Sequence, residues 1–168
     1  MGEWRYHFSA SDSERLRVSL ESWTGLFPYS PGQRIDVMWW RAAHALVVVV
    51  GNGIYIVDPL TPQDFAGFEG LTTINDLIVD ESTGYLFAAD RLRVHAFSPD
   101  RKPRWISEAF GGYDARFVGC GGRVVALEMT PFEDDDAREI VRLRAEDGTV
   151  LRSRFRVAQK HWRRNQAA

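Results

Sequence analysis

Apolar and polar positions alternate in short runs along most of this chain, and turn-forming clusters interrupt the runs every few residues. The clearest stretch lies between Asp76 and Arg101. Leu77 to Val79 is an apolar run. It ends at Asp80-Glu81-Ser82-Thr83-Gly84, residues that hydrogen-bond their own backbone or tolerate positive φ, so the chain reverses there. Tyr85 to Ala89 returns, and Asp90-Arg91 is the next reversal. In Leu92 to Phe97 the even positions are apolar and Arg93 and His95 are polar, the period of a strand with one buried face. Ser98-Pro99-Asp100-Arg101 closes the unit, because proline has no N–H to give to a ladder. The pattern predicts three consecutive antiparallel strands.

Moving this stretch back by forty residues, without a gap, lays it on Asp36 to Thr61. Asp36 falls on Asp76, Leu46 on Leu86 and Pro59 on Pro99. Apolar residues coincide at Val37/Leu77, Trp39/Val79, Val47/Phe87, Ile54/Val94 and Val57/Phe97. A third, looser copy begins at Asp114, with strands over Ala115 to Val118, Arg123 to Glu128 and Glu139 to Arg144. Gly121-Gly122 is its first turn, Met129 to Arg138 an insertion at its second, and Glu146-Asp147-Gly148 its close. A period of about forty residues with several short strands per repeat is the mark of propeller blades or related β-arrays.

The stretch from Asp76 to Lys102 resembles a blade of the NHL-type or PQQ-type β-propellers. In those blades an apolar strand ends in Asp, a Gly turn follows, and an aromatic-containing strand leads through Ala-Asp to a strand ending near Pro-Asp. Trp105 stands where PQQ-type repeats often carry tryptophan. The resemblance spans residues 36–150 and implies architecture only. The expected fold is all-β, with antiparallel blade-like repeats forming a small or incomplete β-propeller, the alternative being a β-sandwich or barrel.

Outside the repeats, Glu3 to Ala10 and Arg15 to Glu21 alternate and predict two half-buried strands joined at Ser11-Asp12-Ser13. Trp23 to Gly32, with two prolines and two glycines, reads as an aromatic loop, and Pro62 to Thr73 as a connector. Asn52-Gly53 between apolar runs predicts a hairpin whose central residues need positive φ. Val47 to Val50, lacking alternation, predicts a strand covered on both faces. Trp105 to Phe110 predicts an outer strand of the second unit. Thr149 to Val157 predicts an edge strand whose row of arginines, Arg152, Arg154 and Arg156, would block sheet-to-sheet aggregation. Residues 158–168 form a basic tail. Three repeats are too few for a ring, so the chain is expected to pair its N-terminal strands with the C-terminal strand in a fourth, composite blade, the preferred reading, to associate with further copies, or to fold its sheets onto one another as a sandwich or barrel.

A chain of 168 residues is one domain by size and long enough to bury a core. Its 45% hydrophobic and 26% charged residues are ordinary for a globular protein. The longest apolar run, Ala45 to Val50, is far below the roughly twenty residues a membrane helix needs. No secretory signal opens the sequence, and Cys120, the single cysteine, fits a reducing compartment. These features lead to a cytoplasmic expectation. The net charge of −2 is uneven, residues 151–168 carrying +6 and the remainder −8.

Little in the sequence points to catalysis. His7, His44, His95 and His161 have no metal-ligand spacing, and His95 reads as a solvated or hydrogen-bonded ring. The glycine clusters lack the lysine and following helix of a phosphate loop. Asp36, Asp76 and Asp114 recur at one repeat position, as residues with a structural task such as turn capping would. The run Glu133, Asp134, Asp135, Asp136 lacks the alternation of a calcium loop and reads as a solvated or partner-binding tip. Trp40, aligned with the turn residue Asp80, either packs against the Trp23 to Gly32 loop or forms with Phe27 and Tyr29 an aromatic contact patch, the interaction candidates of this region. At the basic end, Arg163 and Arg164 beside Trp162 are the residues a nucleic acid would use, a reading disfavoured by the acidic pI of about 6.1.

The resulting expectation is a non-catalytic protein-binding β-repeat module without cofactor or metal, of the bacterial immunity or adaptor kind. Its expected partner is another protein or a second copy, not a membrane. The alternative is a small-ligand binder or enzyme with a site in the central opening of a propeller.

Overall fold

The structure is a computed structural model and describes residues 7–12, 15–20, 23–30, 32–68 and 71–157. The expectations for residues 3–6, for the tail at 158–168 and for Arg163 and Arg164 lie outside the described residues.

Four antiparallel sheets follow one another along the chain. The first is a three-stranded meander of β1 (His7–Asp12), β2 (Arg15–Leu20) and β3 (Trp23–Pro28). The second has β4 (Ile35–Trp40), β5 (Ala45–Val50), β6 (Gly53–Val57) and β7 (Ala66–Phe68). The third has β8 (Asp76–Val79), β9 (Leu86–Ala89), β10 (Val94–Phe97) and β11 (Pro103–Ile106). The fourth has β12 (Gly112–Gly121), β13 (Val124–Pro131), β14 (Arg138–Arg144) and β15 (Val150–Val157). In each sheet every strand pairs with its neighbour in sequence, the order of a propeller blade. The three sequence repeats thus supply the first three strands of the second, third and fourth sheets.

Among the described residues the N-terminal strands and the C-terminal strand belong to different sheets, so the expected composite blade is not seen. β1 pairs with β2 and β2 with β3, while β15 pairs with β14 at the edge of its own sheet. The reason lies in Trp23 to Pro28, which is a strand and not a loop. Trp23, Gly25 and Phe27 face inward and Thr24, Leu26 and Pro28 outward, the period of two that the prolines and glycines obscured. Pro28 is tolerated because β3 is an edge strand and Pro28 is its last residue. Gly25 leaves room for the end of the Trp23 ring, which a Cβ there would meet and which lies over the strand toward Phe27. The two rings meet edge to face at 6.3 Å.

The connector after Thr61 likewise contains β7, the outer strand of its sheet. The β5–β6 hairpin turns on Gly51 and Asn52, with Val50 opposite Gly53, so the turn sits one residue earlier than Asn52-Gly53. Only Gly51 has positive φ, at 56°, and glycine at the first central position fits the type II′ form. The insertion in the third repeat is shorter than the sequence suggests, because β13 runs on to Pro131.

By contact the chain divides into two compact units, residues 1–74 with 98–102, and residues 75–97 with 103–168. The core of the first joins Leu16, Val18 and Phe27 to Val37, Leu46, Val48, Tyr55 and Val57. β5 and β6 are buried along their whole length, in β5 as the unbroken run Val47 to Val50 predicts. The core of the second joins Phe87, Val94 and Ala96 to Ala115, Val125, Leu127, Met129, Val141 and Leu143. Each fully buried aliphatic side chain of this kind contributes about 1.5–3 kcal/mol.

Within the second unit, β8 and β12 run side by side. Asp76 Oδ2 accepts the Phe117 N–H at 2.8 Å, and the Cys120 thiol points at the Val79 carbonyl at 3.5 Å. Both links span 41 residues, close to one repeat, so equivalent first strands stand in register.

Candidate functional site

In the β13–β14 loop, Phe132 to Ala137, exposed aromatic surface and concentrated charge coincide. β13 delivers Pro131, which is buried, and the chain then turns outward. The turn is held by the Phe132 N–H on the Gly111 carbonyl at 3.0 Å and the Ala137 N–H on the Asp134 carbonyl at 3.1 Å. Asp134 Oδ1 also accepts the Asp136 N–H at 3.2 Å. Glu133, Asp134, Asp135 and Asp136 are all exposed.

Phe132 is 54% exposed, yet its ring is fixed, stacked on Tyr113 of β12 at 6.0 Å between centroids. The Tyr113 hydroxyl donates to Asp135 Oδ1 at 2.6 Å. That bond, with burial and the charges of Asp135 and Asp114 behind it, pushes the Tyr113 pKa above its ordinary value. Behind the loop, Arg138 donates to the Thr130 hydroxyl and to the Ala137 carbonyl, fixing the return into β14. The arrangement is an aromatic platform rimmed by carboxylates on a braced turn. Chemically it suits a partner that brings cations and apolar or aromatic groups together.

The acidic run was legible in the sequence. Phe132 and Tyr113 were missed, although Phe132 stands directly before the run.

The other expected patch does not form. Trp40 is fully buried and Phe27 nearly so, at 6% exposure, while Tyr29 is half-buried against the first core. Repeat alignment sets Trp40 on a turn residue, but β4 runs one residue further than β8 does on that alignment. The reversal is made instead by the 3₁₀ turn Arg41–Ala43 and by His44 in the left-handed region. The indole therefore belongs to the strand and faces inward. Phe27 is taken into the core because it lies on the inner face of β3, its ring 5.1 Å from that of Tyr55.

His95 is a hydrogen-bonded ring, one of the two forms expected of it. It is buried, and its Nε2 lies 2.9 Å from Asp90 Oδ2. Asp90 also accepts the N–H groups of Leu92 and Arg93, each at 2.7 Å. Burial raises the Asp90 pKa, but the hydrogen bonds from His95, Leu92 and Arg93 outweigh it and hold the carboxyl below its ordinary value. Asp80 has the same role at the preceding turn. Burial opposes its ionisation, and Ser82 and Thr83, through hydroxyls at 2.7 and 3.0 Å and backbone N–H groups, lower its pKa overall. Both aspartates hold tight turns.

Of the recurrent aspartates, Asp36 pairs with Arg34 at 2.9 Å, Asp76 ties β8 to β12, and Asp114 sits at φ 53° inside β12. The surroundings of the three positions thus differ from one repeat to the next. The Cys120 thiol is pushed up by burial and by Asp80 and Glu81, which disfavours the reactive thiolate. Among the described residues no group of three or more His, Cys, Asp or Glu is placed to hold a metal ion.

No protein-family model matches the chain. No curated protein matches it in sequence. Solved structures do match in shape. Apo AztD from Citrobacter koseri superposes with a TM-score of 0.60 at 12% identity, covering 91% of this chain and 46% of that one. BBS1N, solved in complex with ARL6DN, gives 0.51 at 14% identity, covering 90% of this chain and 53% of that one. These neighbours are β-propellers. The likeness shows the fold. The chain has the blade-like antiparallel sheets of a small or incomplete β-propeller and spans about half the length of the structures it matches. Among the described residues no helix is long and apolar enough to cross a membrane.

Proposed function

We propose that this protein is a non-catalytic protein-binding β-repeat module whose docking surface is the β13–β14 loop. The observation that carries the reading is Phe132, held 54% exposed on the Tyr113 ring amid Glu133, Asp134, Asp135 and Asp136. An exposed aromatic fixed by stacking gives up little side-chain entropy on binding, and the carboxylates steer a basic partner toward it. In this reading the blades are of the NHL or PQQ type. The protein works in a bacterial cytoplasm as an immunity-type or adaptor protein, the acidic loop covering a basic surface of its partner.

The test is capture of partner from the native host by the tagged wild-type chain and by a Phe132→Ala, Asp134→Asn, Asp135→Asn variant, with melting curves confirming that both fold. The variant is expected to lose the captured protein at unchanged melting temperature. Equal capture by both would overturn the assignment of this surface.

A further inference from the structure

The β5–β6 hairpin carries at its tip the one asparagine of this chain that precedes a glycine. Of Asn52, Asn75 and Asn165, only Asn52 does so. Strands β5 and β6 are buried throughout, while Asn52, between the buried Gly51 and Gly53, is exposed. Water therefore reaches this side-chain amide at the end of an otherwise dry hairpin. Gly53 has no Cβ, so its backbone nitrogen can approach the Asn52 side-chain carbonyl without hindrance.

We propose that Asn52-Gly53 is a site of spontaneous covalent modification, at which the asparagine converts through a cyclic imide to aspartate and isoaspartate. In the first step the Gly53 backbone nitrogen attacks Cγ of Asn52. An N–Cγ bond forms, the Cγ–Nδ2 bond breaks, and the side-chain nitrogen leaves as ammonia with the proton that Gly53 gives up. In the second step water opens the ring. Opening at Cγ gives aspartate in the original chain, and opening at the backbone carbonyl carbon leaves the chain running through the side chain, as isoaspartate. One water is consumed and one ammonia released, and nothing is oxidised or reduced.

Two contacts from a later segment bear on the reaction. The Thr73 hydroxyl stands 3.5 Å from Asn52 Oδ1, and the Ile74 N–H donates to the Gly51 carbonyl at 3.3 Å. The first contact is long in the resting chain and shortens as the carbonyl oxygen gains negative charge under attack, which stabilises the tetrahedral intermediate. The second, with the buried Ile74 side chain, keeps the hydroxyl against the tip. The Gly53 nitrogen must leave its rung opposite Val50 to react, and a rung beside an exposed two-residue tip opens at low cost.

Asp147-Gly148 is the contrasting pair, since a carboxyl can form the same imide. Its carboxylate accepts the Thr149 N–H at 2.9 Å and the Arg144 guanidinium at 2.8 Å, while the Gly148 N–H is bound to the Arg144 carbonyl at 2.8 Å. The bonds from Thr149 and then Arg144 hold the acid ionised, below its ordinary pKa, and an ionised carboxylate offers no group able to leave. Asn52 carries its leaving group at every pH.

The consequence falls on the hairpin. Isoaspartate adds one backbone atom to a two-residue turn whose strands are paired residue by residue from Val50 opposite Gly53 to Leu46 opposite Val57. The tip must distort, which removes the Thr73 and Ile74 contacts and weakens the fold. The aspartate product adds only a charge at an exposed position.

The test holds the full chain at pH 8 and 37 °C and follows it by peptide mass mapping, with methyl transfer by an isoaspartyl methyltransferase as a second readout. The amide-to-acid mass gain and methyl acceptance are expected to accumulate at Asn52 severalfold faster than at Asn75, with no isoaspartate at Asp147. Asn52→Gln, whose longer side chain would have to close a larger ring, is expected to fold and to abolish the signal. Thr73→Val is expected to slow it severalfold. The isoaspartate form, separated chromatographically, is expected to melt below both the unmodified chain and Asn52→Asp. An Asn52 that stays intact, or converts no faster than Asn75, would overturn the site. Equal conversion in Thr73→Val would overturn the assistance from Thr73, and equal melting of the three forms would overturn the effect on the hairpin.

Discussion

The carboxylate of Asp76 accepts the backbone N–H of Phe117 at 2.8 Å, tying the first strand of one blade to the first strand of the next. Asp76 also accepts the N–H of Leu77 at 3.0 Å, so one side chain holds the start of β8 and the middle of β12 at once. Such a charge-assisted bond to a half-buried amide is costly to lose. Asp76→Ala is expected to lower unfolding stability by about 1–3 kcal/mol, read as a lower urea midpoint at unchanged slope.

Asp80 and Asp90 make the blade turns sensitive to acid. Both carboxyls lie below their ordinary pKa in the folded chain, so folding favours their ionised forms. The stability this supplies is present above the unfolded value, near pH 4, and is lost as pH falls through the lower folded values. Urea titrations from pH 5 to pH 2 are expected to show a steep fall in stability below about pH 4. Asp90→Asn should be less stable at neutral pH and show a shallower acid slope.

Arg123 occupies a position suited to another residue. The β12–β13 turn is Gly122-Arg123, with φ values of 56° and 69°, and Gly121 stands opposite Val124. Both central residues are left-handed, as a type I′ turn requires, and an ordinary side chain there is strained by about 1 kcal/mol. Asparagine tolerates the region better. Arg123→Asn is expected to raise stability by about 0.5–1 kcal/mol, with a higher melting temperature and no change in partner capture.

Cys120 is expected to be a slow thiol. Burial and the neighbouring Asp80 and Glu81 raise its pKa, so the thiolate fraction at neutral pH is below that of a free cysteine. Iodoacetamide alkylation should be several times slower than for glutathione at pH 7.5 and recover in urea.

The sequence carried the blades well and the surfaces poorly, for a physical reason. Apolar alternation and turn chemistry are local, so β8 to β10 and the Asp80 and Asp90 reversals could be read directly. β5, apolar at every position, declared its own double burial. The edge strands were harder. β3 carries Gly25 and Pro28, which an edge position tolerates and a ladder interior does not, and β7 has only three residues. Trp40 and Phe27 could be read as packed or as exposed, because exposure depends on which way a strand end faces, and the alignment of one repeat on another left that undecided; both are buried. The Phe132–Tyr113 stack joins residues 19 apart in sequence across two strands, a pairing that only the β12–β13 register reveals.

The central claim is that this blade-built chain works by holding another protein. Native mass spectrometry of the tagged protein, isolated gently from its own host, tests it most directly. The expected result is a stoichiometric complex with a second, basic polypeptide that dissociates as salt is raised. A chain that flies alone, or only with a bound small molecule, would contradict the claim.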